Sequence, residues 1–190
     1  VSGHAINQVD KRELLTLHSG SLSWRNRGIL VLGESGNGKS TLTLEMVANH
    51  GWTYLTDEVG LVNPQLVIQP FLKTVSCKRT CIVDIDKSWA RRQFGDDCQV
   101  AVPREKHSKP APLKAIFFVK YAPDNQPRLE PIKKTEALVR LMNAQIGRAK
   151  SVATVEQMAE VVKHVNAYNI FHNDAAEAAR LITTLVDSIE

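Results

Sequence analysis

The chain has 190 residues, 43% of them hydrophobic and 23% charged, a globular balance that excludes general disorder. Lys and Arg number 24 against 20 Asp and Glu, for a net charge of +4. That excess suits a phosphorylated ligand or an acidic partner, but it is too small to argue for nucleic acid. No apolar run approaches the ~18–20 residues that cross a bilayer, so no membrane association is expected.

The first residue is Val1 and no apolar stretch follows a basic start, so no signal peptide is expected. A trimmed start, or a domain excised from a longer chain with its N-terminal region missing, fits this beginning. The three cysteines, Cys77, Cys81 and Cys98, are an odd count without paired CxxC motifs. They form neither a disulfide framework nor a four-ligand zinc site, and reduced thiols in a cytoplasmic protein are expected. Cys77 and Cys81 sharing a metal with a histidine is the minor alternative.

In chain order, the apolar run Gly28–Gly33 has strand length and β-branched content. The loop GESGNGKS follows, then a helix over Thr41–Asn49, with Gly51 where a C-terminal cap glycine belongs. Trp52–Leu55 reads as a second strand ending in Thr56-Asp57-Glu58. From Val59 to Lys134 short strand-like runs alternate with breakers. The runs are Leu61–Val62, Leu66–Gln69, Cys81–Ile85 and Ala115–Tyr121; the breakers include Pro64, Pro70, Pro103, Pro110 and Pro112. One short helix is expected there, near Lys87–Phe94. The last third reads as helical: Thr135–Ile146 ending at Gly147, Val152–Val165, and Asp174–Ile189 opening on a capping-box-like Asp174-Ala-Ala-Glu177. His164 and His172 are expected at the surface. The order is strand, loop, helix, a β-rich middle, then helices, which is not the regular alternation of a doubly wound sheet.

Gly33-Glu34-Ser35-Gly36-Asn37-Gly38-Lys39-Ser40 fits GxxxxGK[ST] at every position, after a predicted strand and before a predicted helix. The glycines let backbone N–H groups turn toward phosphate oxygens. The helix N-terminus adds its positive dipole end. Lys39 supplies a mobile cation for β- and γ-phosphates, and the Ser40 hydroxyl can ligate Mg²⁺. Asp57-Glu58 lies eighteen residues past Lys39, at the end of the next strand. Two adjacent acids there can divide two tasks, holding Mg²⁺ and accepting a proton from a hydroxyl nucleophile. An ABC-type ATPase would need an LSGGQ-like signature, which is lacking. A small-molecule kinase would alternate helix and strand, whereas no substantial helix appears for about seventy residues after Glu58.

His18-Ser-Gly, fifteen residues on to Gly33, then GESGNGKS, then Thr56-Asp57-Glu58 after the next strand, resembles the kinase domain of the HPr kinase/phosphorylase family. The close match covers about residues 17–62. The resemblance implies an α/β fold of the phosphoenolpyruvate-carboxykinase type, with the P-loop in a mixed, β-rich core and C-terminal helices from about 135 to 190, in one kinase domain. It implies that Gly33, Glu34, Ser35, Gly36, Asn37, Gly38, Lys39, Ser40 and Thr41 bind ATP phosphates, and that Ser40 and Asp57 hold Mg²⁺. It implies a serine of a protein or peptide as acceptor, with Glu58 as the base, Asp57 the alternative, and His18 at the transferred phosphoryl group. A homo-oligomer is compatible with it. Two departures count against phosphorolysis: Thr41 stands where the bifunctional enzymes have Glu, and no Glu-Ile-Arg-Gly-Leu-Gly-like stretch occurs. Lys78 and Arg79, in that general region, are cationic candidates for nucleotide or leaving phosphate. The basic stretch Arg104–Lys114 is a candidate mobile loop. The remaining readings are a small-molecule kinase and a nucleotide-binding module without catalysis.

Overall fold

The computed structural model describes residues 14–78, 83–147 and 151–189. It begins with β1 (Leu15–Leu17), β2 (Ser19–Trp24) and β3 (Arg27–Leu32). β2 and β3 form an antiparallel hairpin whose two-residue turn, Arg25-Asn26, has both φ angles positive, at 48° and 64°. That is the primed turn whose twist matches the strands it joins. α1 (Lys39–Asn49) follows the loop, with Gly51 left-handed just past its end, as expected. β4 (Thr53–Thr56), β5 (Gly60–Val62) and β6 (Val67–Gln69) come next.

The middle is strand-built, as its breakers predict. β7 (Val75–Lys78), β8 (Arg91–Phe94) and β9 (Asp97–Val100) make a separate three-stranded sheet, followed by a single 3₁₀ turn at Arg104–Lys106. β10 (Ala111–Tyr121) and β11 (Arg128–Pro131) complete it. The helix expected near 87–94 is instead a turn leading into β8. Gly95, left-handed at φ 57°, folds β8 back on β9, so a hairpin outcompetes one short, poorly amphipathic helical turn. Of the strand expected at 81–85, residues 81 and 82 lie outside the described residues, and 83–85 are irregular. Pro112, read as a breaker, lies inside β10 opposite Val67, at the end of a two-residue pairing where a missing N–H is tolerated.

The C-terminal part contains α2 (Lys134–Ala144), α3 (Val152–His164), β12 (Asn166–His172) and α4 (Ala175–Asp187). The strand β12 was not expected between two helices. The main sheet runs β1-β5-β6-β10-β3-β2-β4, with β12 paired to β10 and β11 to β12. β10 is parallel to both β3 and β12, so the sheet is mixed. α1 and α4 cover one face with Ile29, Val31, Phe117 and Ile170; α2 and α3 cover the other with Leu30, Leu32, Ile116 and Phe118. Both faces of β3 are therefore buried, which is why its sequence is a continuous apolar run rather than an alternation. The expected class, an α/β fold with the glycine-rich loop in a mixed, β-rich core and C-terminal helices, is the one found. No described helix is long and apolar enough to cross a membrane.

Candidate active site

The sheet directions bring the singled-out residues to one edge. β4 is antiparallel to β2, and β2 to β3, so β4 runs with β3. β3, β4, β10 and β12 all end at the same edge, and the antiparallel β2 begins there. Gly33 leaves β3, Asp57 leaves β4, and His18 immediately precedes β2. Because Ser19 pairs with Leu32, the next pair outward is His18 beside Gly33. The fifteen-residue interval between them is thus the length of a tight hairpin. Ligands of open α/β sheets collect at such C-terminal strand ends.

The loop has the geometry that its glycines predict. Gly38 is left-handed at φ 86° and stands at the N-cap of α1. A Cβ on Gly33 would lie 2.6 Å from the Val119 carbonyl oxygen, so only glycine lets the loop leave β3 so close to β10. Lys39 is buried, and its Nζ donates to the carbonyl oxygens of Gly33 at 2.8 Å and Glu34 at 3.3 Å. Burial lowers its pKa against the opposing pull of Asp57 and Glu58.

Ser40 Oγ donates to Asp57 Oδ2 at 3.0 Å, joining loop and acid directly. Asp57 is 0% exposed, and its other oxygen has no hydrogen-bond partner among the described residues. Burial pushes its carboxyl up to about 6, only partly countered by the Ser40 bond, and the Glu58 charge raises it further. Glu58 is different. It sits in left-handed backbone (φ 67°), half-exposed, and accepts from Lys73 Nζ. Lys73 is held by its own carbonyl, which accepts from Tyr54 Oη at 2.7 Å. Burial pushes the Tyr54 phenol well above its ordinary pKa, so it remains a donor.

Of these residues Ser40 and Glu58 line an open cavity of about 980 Å³, together with His18, Ser35, Lys39 and Lys78. His18 therefore reaches the same cavity as the loop. Its backbone N–H donates to the Ala144 carbonyl at 2.7 Å, which ties it to the end of α2. Arg79 lies outside the described residues. No residue of the basic stretch 104–114 lines the cavity. Cys81 also lies outside the described residues, and among those described no three His, Cys, Asp or Glu side chains cluster as metal ligands. Mg²⁺ needs no such cluster, because phosphate oxygens and water supply most of its octahedron. A buried carboxylate oxygen without a protein partner, beside a serine hydroxyl, is a hard-oxygen donor set that fits it.

Two residues of the site escaped the sequence reading. His172, expected at the surface, is 2% exposed at the end of β12. Its Nε2 lies 3.1 Å from where a Cβ of Gly38 would be, and neither ring nitrogen has a well-formed hydrogen bond among the described residues. Burial lowers its pKa, against the opposing pull of the Asn37 backbone and of the Asp174 charge and backbone. His164, by contrast, is exposed beside Glu160, as expected. Lys73 is the second. It lies in an irregular loop, fifteen residues from its partner, and no local pattern joins the two. Only a strand ending just before the Asp174 cap would have signalled His172.

No family model matches the chain, and no curated protein matches it. Among solved structures it is similar to the Hpr(Ser) kinase/phosphatase from Coxiella burnetii, with a TM-score of 0.44 and 18% sequence identity, over 90% of this chain and 93% of that one.

Proposed function

We propose that the chain is an ATP-dependent kinase that transfers the γ-phosphoryl group to a serine hydroxyl of a protein or peptide, without phosphorylase activity. The observation that carries this reading is the bond from Ser40 of the loop to the buried Asp57, with the adjacent Glu58 lining the cavity. Backbone N–H groups of Gly33–Ser40 and the α1 N-terminus would receive the phosphates, with Lys39 on the β- and γ-oxygens. Ser40 and Asp57 would hold Mg²⁺, which neutralises charge on the phosphates when bound. Glu58 would take the serine proton as its oxygen attacks phosphorus and the bond to ADP breaks. His18, at the head of β2, would contact the transferred group.

A second reading exchanges the acids. A carboxyl near pKa 6 is well matched to general-base work near neutral pH, and Lys73 already pairs with Glu58. The experiment is phosphorylation of proteins encoded beside this gene, read by mass spectrometry for phosphoserine, with Glu58→Gln and Asp57→Asn compared. Glu58→Gln should bind Mg·ATP nearly normally and lose about 10²–10⁴-fold in turnover, while Asp57→Asn should raise the Mg²⁺ requirement. The opposite pattern assigns the base to Asp57. Loss of less than about tenfold in both variants removes the kinase mechanism.

A further inference from the structure

We propose that the ends of β10 and β12 form the subsite for the nucleoside part of the nucleotide, with the Tyr121 ring as the surface on which the base stacks. This rests on the phosphate-loop reading above. β3 carries the loop, and the acids lie two strands to one side of it, at the end of β4. β10 and β12 lie on the other side. A triphosphate on the loop with its terminal group at Asp57 and Glu58 must send its nucleoside away from them, toward Tyr121 and His172.

Those two residues are register partners across the parallel pair β10–β12. Their rings meet edge to face at 5.8 Å and 78°, so the buried His172 fixes the plane of the Tyr121 ring. Tyr121 is 50% exposed and lines the same cavity as the loop. Ala122 N–H donates to the His172 carbonyl at 2.8 Å, locking the two strand ends together. The wall is therefore rigid, aromatic, and continuous with the phosphate cradle through the His172–Gly38 contact.

The wall's chemistry separates a nucleoside from a second phosphate. α4 begins there, but the Asp174 carboxylate already occupies its N-terminus, accepting from Ala176 N–H at 2.7 Å and Glu177 N–H at 3.0 Å. An anion would meet that negative charge. A planar base and ribose hydroxyls would meet an exposed aromatic ring and a carboxylate acceptor.

The test is titration calorimetry of Mg·ATP and of Mg·tripolyphosphate, which shares the phosphates and lacks the nucleoside. The proteins are the wild type, Tyr121→Ala and Tyr121→Phe. The wild type should bind ATP more tightly than tripolyphosphate. Tyr121→Ala should weaken ATP about tenfold while tripolyphosphate stays within about twofold, and Tyr121→Phe, which keeps the ring, should match the wild type. Equal affinity of Tyr121→Ala and wild type for ATP overturns the subsite and leaves the loop reading standing. Equal weakening of both ligands also overturns it, because the substitution then acts on the loop. If the wild type binds neither ligand, the loop reading fails and the subsite with it.

Discussion

Replacing Asp57 with asparagine should stabilise the protein at neutral pH while damaging its site. Asp57 is wholly buried, and burial raises its carboxyl from 3.8 to about 6. A folded-state pKa above the unfolded one means that the folded chain holds the proton longer. The stability that this carboxyl contributes is then greatest below about pH 4 and is lost as pH rises through about 6. That displacement of the pKa corresponds to about 3 kcal/mol at pH 7.5. Asparagine keeps an oxygen to accept from Ser40 Oγ, and it carries no charge to desolvate. Without metal and nucleotide, Asp57→Asn should therefore be more stable than wild type at pH 7.5 by up to about 3 kcal/mol, or about 6–12 °C in Tm for a chain of this size. Urea unfolding at pH 4.5 and 7.5 reads the difference, which should shrink at the lower pH as the wild-type carboxyl protonates. A variant less stable than wild type at pH 7.5, or a gap equal at both pH values, would refute the argument that this buried charge is held at a cost for use at the site.

Lys39→Ala should abolish measurable binding of the β- and γ-phosphates in isothermal titration with Mg·ATP, because it removes the buried ammonium that lies over the loop; unchanged affinity would remove the phosphate-loop reading. Gly60→Ala should destabilise the fold by about 1–3 kcal/mol in denaturant melts, since its Cβ would lie 2.0 Å from the buried Ser19 Oγ. A melt indistinguishable from wild type would show that the Ser19 side chain has room to turn aside.

The sequence alone specified the loop, its strand and its helix, because their determinants are local. Glycines set the backbone of residues 33–38, an unbroken apolar run marks a strand covered on both faces, and Gly51 ends α1. The spacing from His18 to Gly33 was legible for a related reason: a two-residue hairpin turn converts sequence distance into a fixed register. The pair Asp57-Glu58 was visible as an acidic strand end, but the two residues look alike in sequence. Only the tertiary structure separates them, burying one against Ser40 and turning the other out to Lys73. β12 was hidden because Asn166–His172 gains its strand partners from β10, some fifty residues earlier, and from β11. Its pairing is decided by closing the sheet between two helical layers rather than by its own pattern. The same non-local pairing takes His172 out of solvent and sets it against Gly38. Which side of the loop faces the acids and which faces Tyr121 follows from strand order, and strand order is set by how the whole chain buries both faces of one sheet.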